Sequence, residues 1–256
     1  MSFRARDLAQ VAALFFLIIG LTGCIVQSDG TGLPDFNLRV SMPESGQELV
    51  TEIQLLIMLT TLALVPALLI VTTAFIRITV VLSILRNAIG LPQLPPNQVI
   101  IALSLFLTFF VMNSVWEQVN QEALQPFIAG TLSQQEAMER GIQPIRTFML
   151  KQVREEDIAL FIHLAKLPRP RTADDVPTYA LIPAFVISEL RTAFQMAFVI
   201  YVPFLVVDMV VSSALMSMGM MMLPPTVISL PFKLLLFVMV DGWHLVVRSL
   251  VMSFHA

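Results

Sequence analysis

The run IQLLIMLTTLALVPALLIVTTAFI, residues 53–76, contains no charged side chain over 24 residues. As an α-helix rising 1.5 Å per residue it would be about 36 Å long, which exceeds the roughly 30 Å of bilayer hydrocarbon. The rest of the 256-residue chain has a similar character, because 57% of its residues are apolar and only 13% are charged. Ordinary soluble domains have about a quarter of their residues charged. The sequence therefore predicts an all-α membrane protein and argues against a soluble enzyme.

The 15 basic and 18 acidic side chains are distributed in blocks along the chain. Nine lie in residues 1–52, two in 53–116, sixteen in 117–175 and six in 176–256. We expect a hydrophobic helical hairpin at residues 51–116 and a second one at 179–256. The charged residues 117–178 between them are predicted to form an amphipathic helical segment outside the cytoplasm, on the periplasmic side.

Apolar residues in this middle segment recur at helical spacing. Ile158, Phe161, Ile162 and Ala165 follow the i, i+3, i+4, i+7 pattern of an amphipathic helix, and residues 142–153 belong to an earlier one. Two such helices are too small to bury a core by themselves. Phe148 and Phe161 are therefore predicted to contact neighbouring subunits, with packing against each other as the open alternative.

The first 24 residues are typical of an export signal. Arg4 and Arg6 precede an apolar core at residues 11–19, and the small residues of Leu21-Thr22-Gly23-Cys24 suit a signal peptidase. The same tetrapeptide resembles a lipobox, in which Cys24 becomes the lipidated N-terminus. An ordinary cleaved signal with an incidental cysteine is the alternative. Residues 25–50 are predicted to be a flexible leader.

A mature N-terminus outside the cytoplasm fixes the direction of the spans that follow. The first span runs inward and a second, at residues 97–116, returns. Arg77 and Arg86 have no acid beside them and would lie on the cytoplasmic side, as the positive-inside rule expects. Two further hydrophobic helices near the C-terminus would complete a four-span chain.

Ionisable residues within the hydrophobic regions require partners, because an unpaired ion at the bilayer centre costs roughly 3 kcal/mol on insertion scales. We expect ion pairs between helices or subunits, drawn from Glu189, Asp208, Lys233 and Arg77. The best single pairing is Glu189 with Lys233. A proton or ion pathway is the functional alternative.

Six of the 15 methionines fall within residues 209–222, directly before Leu223-Pro224-Pro225. The two prolines should stop a helix there, so the cluster is predicted at the tip of a hairpin. Several copies of such flexible thioether side chains would close a shared pore. The predicted gate residues are Met218, Met220, Met221 and Met222. Core packing and Cu(I) binding are the alternatives, the latter because thioethers select that ion.

Several function classes have no support in the residues. A net charge of −3 without a Lys/Arg block gives no footprint for nucleic acid. One cysteine and three scattered histidines provide neither a disulfide framework nor a multi-cysteine metal site. No phosphate-binding glycine loop or nucleophile with a base is present, so we expect no enzymatic activity and no cofactor. A secondary transporter or ion-conducting protein is the alternative, although the two hydrophobic halves show no convincing repeat.

Three segments together resemble the FliP family of flagellar type III export-gate proteins, which has SctR relatives in injectisomes. They are PALLIVTTAFIRITVVLSILRNAIGLPQLPPNQVIIALSLFLTFFVM at 66–112, PAFVISELRTAFQMAF at 183–198 and MGMMMLPPTVISLPFKLLLFVMVDGW at 218–243. The resemblance covers nearly everything from about residue 50 onward. The three long motifs in this order make it specific.

The resemblance implies a bacterial inner-membrane component of the flagellar basal body. Such a protein assembles as a homopentamer with small hydrophobic partners of the FliQ and FliR families, beside FlhB-type and FlhA-type export proteins. Its helical hairpins form an oligomeric cone largely on the periplasmic side, and unfolded flagellar subunits pass through it. The gate methionines carry over onto Met220, Met221 and Met222, and the ionic contacts between helices and subunits onto Glu189 and Lys233.

Overall fold

The computed structural model describes residues 46–220 and 222–254. The expected signal peptide, the possible processing site at Cys24 and all but the end of the expected leader lie outside the described residues, as does the gate candidate Met221. The described residues from Ile53 onward belong to one compact unit. The contacts discussed below all lie within that unit.

The described residues form an all-α structure, which confirms the predicted fold class. They include a π-helical turn at Asn120–Leu124 and a short 3-10 turn at Ala173–Asp175. The α-helices are α1 Gly46–Val71, α2 Phe75–Ile89, α3 Asn97–Val111, α4 Asn113–Val119, α5 Gln125–Ile128, α6 Gln134–Gln152, α7 Glu155–Leu164, α8 Thr178–Ser217, α9 Pro225–Met239 and α10 Gly242–Met252.

Two of these helices are long and apolar enough to cross a membrane, namely α1 over Ile53–Val71 and the 40-residue α8. Two bent pairs raise the number to four if each pair is one span: α3 with the helix after it, bent by 59°, and α9 with α10, bent by 63°. At 1.5 Å per residue α8 is about 60 Å long, twice the hydrocarbon thickness. Length and composition therefore allow two to four spans.

The sequence had suggested a single helix over the charge-free run at residues 53–76, but the structure divides this run between two helices. Helix α1 ends at Val71 and α2 begins at Phe75. Between them the hydroxyls of Thr72 and Thr73 donate to the carbonyls of Leu68 and Ile70. These bonds satisfy the last turn of α1, and the break places the next polar residue, Arg77, inside the protein core.

The core lies mainly between α2 and α8, with α3, α6, α7 and α9 around them. Helix α2 buries Ile78, Val81, Leu82 and Leu85, which lie three or four residues apart and form one face. Helix α8 packs against this face with a row of mostly small residues. Small residues let two helix backbones approach closely. That row is Ala180, Ala184, Phe185, Ser188, Ala193 and Ala197.

Helix α7 ends in a hydrogen-bonded cap that usually contains glycine. The amide of Lys166 donates to the carbonyl of His163, and the amide of Leu167 donates to that of Ile162, each at 3.0 Å. This geometry places Lys166 in the left-handed region, with φ of 51°. The left-handed conformation costs a non-glycine residue roughly 1–2 kcal/mol.

We predict that Lys166→Gly raises the free energy of unfolding by about 0.5–1 kcal/mol, since relief of the backbone strain exceeds the added flexibility of the unfolded chain. Lys166→Ala is the matched control, because it removes the same side chain but keeps the strain. Thermal unfolding in detergent should therefore show a higher midpoint for the glycine variant only. Equal midpoints for the two variants would contradict this account of the cap.

Candidate functional site

A buried ion pair joins α2 to α8. The Nε of Arg77 donates to Oε2 of Glu189 at 2.8 Å, and its Nη2 donates to Oε1 of the same carboxylate. Both side chains are buried, with 3% and 0% of their surface exposed. The bidentate geometry fixes the rotation of α2 against α8, because two parallel bonds define an orientation as well as a distance.

The C-terminal end of the chain completes the surroundings of Arg77. Its Nη1 donates to the carbonyl and the hydroxyl of Ser253, at 3.0 and 2.9 Å, and its Nη2 donates to Gln152. The ring of Phe254 lies 3.9 Å from the guanidinium carbon, in cation–π geometry. Segments far apart in sequence thus meet at one cation.

A second ion pair joins α8 to α9. The Nζ of Lys233 donates to Oδ2 of Asp208 at 2.6 Å, and the hydroxyl of Ser229 donates to Oδ1 at 2.6 Å. Ser229 and Lys233 are four residues apart on α9, so they project from one face toward the same carboxylate. We call this group the hairpin clamp, because it ties together the two helices that flank the methionine-rich turn.

The predicted pairing of Glu189 with Lys233 is wrong within the chain. Glu189 binds Arg77, while Lys233 binds Asp208. The reason is the position along α8: residues 189 and 208 are nineteen apart, about 28 Å on a helix, so one α9 lysine cannot serve both carboxylates of its own chain. Arg77, which the sequence places on the cytoplasmic side, lies in the protein core, where only 2% of the residue is exposed. Its side of the membrane stays a prediction.

Sequence reasoning missed a third polar contact, which holds α7 on α8. The hydroxyl of Ser188 donates to Asp157 at 2.6 Å and accepts the amide of Arg154 at 3.0 Å. Arg191, on the same helix, lies 3.6 Å from Asp157 and 3.4 Å from the exposed Glu156. A serine within an apolar run and an acid in the first turn of a helix are both common, so neither gave a signal.

Phe148 is buried in the core of its own chain, against the rings of Phe185 and Phe254 at 6.0 and 6.3 Å. It therefore does not offer the subunit contact that the sequence suggested, because its own helix already turns it inward. Phe161 is half-buried and packs at the edge of the core. Its contact with a neighbouring subunit stays a prediction.

The methionine turn comprises Met218, Gly219, Met220 and Met222, with Met221 outside the described residues. Helix α8 ends in a glycine cap: the amide of Gly219 donates to Met216 and the amide of Met220 donates to Leu215. Gly219 has φ of 72°, a conformation that other residues adopt only with strain.

The thioether side chains of this turn face outward. Met218 is 71% exposed, Met220 40% and Met222 98%. Pro224 and Pro225 follow, and α9 begins at Pro225, where the fixed φ of proline suits the first helical position. The turn is therefore a hydrogen-bonded hairpin tip that carries flexible apolar side chains. In residues 46–220 and 222–254, no group of three or more His, Cys, Asp or Glu side chains is placed to hold a metal ion.

These features define a class of helical membrane protein, built of apolar hairpins that are joined by buried ion pairs. Over residues 58–250 the chain matches the model of the FliP family. The chain belongs to the FliP family.

Relatives from distant bacteria agree with this assignment. The chain is 53% identical over 215 residues to the flagellar biosynthetic protein FliP of Pectobacterium carotovorum subsp. carotovorum, covering 84% of this chain and 83% of that protein. The FliP proteins of Bacillus subtilis and Caulobacter vibrioides are 52% and 45% identical, over 202 and 251 residues. The alignments cover 79% and 98% of this chain and 91% and 93% of the relatives. The chain is thus a flagellar biosynthesis protein, a component of flagellar export.

The buried pair leads to a prediction for a double-mutant cycle in the monomeric chain. Glu189→Gln should lower the free energy of unfolding by about 3–5 kcal/mol, because it leaves the Arg77 cation buried without its counterion. In the Glu189→Gln variant, the further change Arg77→Gln should lower the free energy of unfolding by much less than it does in the wild-type protein. The measurement is denaturant-induced unfolding in detergent.

The matched control is a cycle between Glu189 and Lys233, whose effects should add within about 0.5 kcal/mol. Additive effects for Arg77 and Glu189 would contradict the pairing in the structure. Coupling between Glu189 and Lys233 that appears only after assembly would indicate a contact between subunits.

Proposed function

We propose that this chain is a pore-forming subunit of the flagellar type III export gate, and that it conducts unfolded flagellar subunits across the inner membrane. Membership of the FliP family carries this proposal. The exposed apolar surface of the hairpins supports it, since monomeric proteins rarely expose contiguous apolar patches larger than a few hundred Å². Copies of the chain would bury this surface against one another and against lipid.

The proposed assembly is a homopentamer that forms a helical cone with small hydrophobic proteins of the FliQ and FliR families. FlhB-type and FlhA-type export proteins would adjoin it at the flagellar basal body. Residues 117–178 contain most of the charges of the described chain, which supports a location of that segment outside the hydrocarbon. The side proposed for it is the periplasmic one. Phe161 is proposed to contact a neighbouring subunit.

The closing element of the pore is proposed to be a ring of methionine turns. Apolar side chains close a narrow channel by dewetting it, so that ions do not cross at rest. Met218, Met220 and Met222 are suited to this because they are exposed at a hairpin tip, unbranched and adaptable in shape. Met221 is proposed to belong to the same ring on the strength of its sequence position. Transport energy would come from partner proteins or the proton-motive force, with this chain acting as a passive conduit.

We predict that replacing Met220, Met221 and Met222 together by alanine makes resting membranes leaky to small ions, because three shorter side chains per subunit leave the constriction open to water. Assembly should be preserved, since none of the described gate side chains is buried in the chain. Ion flux into vesicles containing the purified complex measures the leak, and the mass of the complex in detergent measures assembly.

The matched control replaces three exposed methionines elsewhere, Met138, Met239 and Met252, which are 69%, 77% and 58% exposed. It changes the same chemistry away from the turn and should leave the ion flux at the wild-type value. If the triple alanine variant assembles normally and still shows the wild-type ion flux, the result would count strongly against a methionine seal. A purified complex that contains a single copy of this chain would exclude the shared pore.

A further inference from the structure

Helix α10 is unlike the other apolar helices of this chain. Its 11 residues extend about 16 Å, half the hydrocarbon thickness, and it is bent by 63° away from α9. Gly242, Val246 and Leu250 form its buried face, and the opposite side is exposed. A short amphipathic helix of this kind suits the membrane interface better than the bilayer centre.

The outer face of α10 is an open surface bordered by residues of this helix alone. Trp243, Val247 and Val251 lie on it at intervals of four residues, and His244 and Arg248 lie beside them at the same interval. Residues four apart are neighbours on a helix surface, so this face has an apolar row next to a row of nitrogen-containing side chains. A ligand that fits both rows has an apolar chain and an anionic head.

Arg248 is an exposed cation for which no ion pair is formed within the described part of the chain. The other basic residues of the C-terminal hairpin are engaged, Arg191 with Asp157 and Lys233 with Asp208. A cation beside an apolar surface at the membrane interface attracts anionic headgroups, by about 1 kcal/mol per charge. The aromatic ring of Trp243 adds a side chain that favours the same depth.

We propose that this outer face of α10 binds an anionic phospholipid. Its phosphate is held by Arg248 and His244, and its acyl chain lies along Trp243, Val247 and Val251. Trp243 is positioned for this by the edge-to-face contact of its ring with Phe237, at 5.6 Å between centroids. The lipid would thereby anchor the C-terminal helix, whose end reaches the Arg77 site through Ser253 and Phe254.

The test uses the protein purified from membranes in mild detergent, in the assembly that it carries. Exchange into nanodiscs of phosphatidylglycerol and phosphatidylcholine is followed by mass measurement of the retained lipid. We expect preferential retention of phosphatidylglycerol. Arg248→Gln should reduce that preference about fivefold, the effect of removing one interfacial charge. Arg248→Lys should keep most of it.

The matched control is Arg169→Gln, which removes one exposed positive charge in the loop before α8 and should leave the retention ratio unchanged. Equal retention of the two lipids by the wild-type protein would overturn the proposal. So would competition by millimolar inorganic phosphate that displaces the lipid, because it would show a site for a free anion. Asp241 is the exposed acid directly before α10. Loss of oligomers with unchanged lipid retention, in both Arg248→Gln and Asp241→Asn, would overturn the proposal and indicate a contact with a second copy.

A measurement on the unmodified protein covers the case in which Arg248→Gln fails to fold. Photo-crosslinking with a phosphatidylglycerol probe, mapped by peptide mass spectrometry, should label the peptide that contains Trp243 and Val251. Labelling confined to other peptides would overturn the assignment of the site.

Discussion

The buried pair of Arg77 and Glu189 is the constraint on which the packing of the described chain depends. Two ions in an apolar interior are stable only with close geometry and satisfied hydrogen bonds, since their desolvation costs several kcal/mol each. Here the carboxylate receives two donors from the arginine, and the remaining donors reach Ser253 and Gln152. Helices α2, α6 and α8 and the C-terminal residues are therefore positioned together. A shift of any one of them would leave a buried donor or acceptor unpaired.

The helical fold class could be predicted from the sequence because hydrophobic length and charge spacing are local properties. The charge-free run at residues 53–76 indicated membrane-type helices, and Pro224 and Pro225 indicated the end of a hairpin. The break after Val71 was not predicted, because threonines that bond back to the preceding turn are compatible with either a continuous or an ended helix. The tip is the more predictable feature, since proline acts on the backbone directly.

The partners of the charged residues could not be predicted in the same way. Solvation alone implies that buried ions need counterions. The four residues named on that basis do form ion pairs in the structure. The choice between Arg77 and Lys233 as the partner of Glu189 depends on how helices 112 residues apart in sequence come together, which hydropathy does not encode. The burial of Arg77 was not predicted, because the positive-inside rule concerns the side of the membrane on which a cation lies and not whether the cation packs inside the protein.

The distribution of burial along the hairpin bears on how a methionine turn would work. The last buried residue of α8 is Phe204 and the first of α9 is Ser229, so no described residue between them is buried. That part of the hairpin is held by the hairpin clamp at Asp208 and by the backbone caps at the turn, and not by a packed core. Segments with few buried contacts open at low free-energy cost. In the proposed pore, a tip with capped backbone ends, one polar clamp and exposed thioethers would hold its place at the channel axis and still yield to an unfolded chain. A packed aromatic tip would meet the first requirement and fail the second.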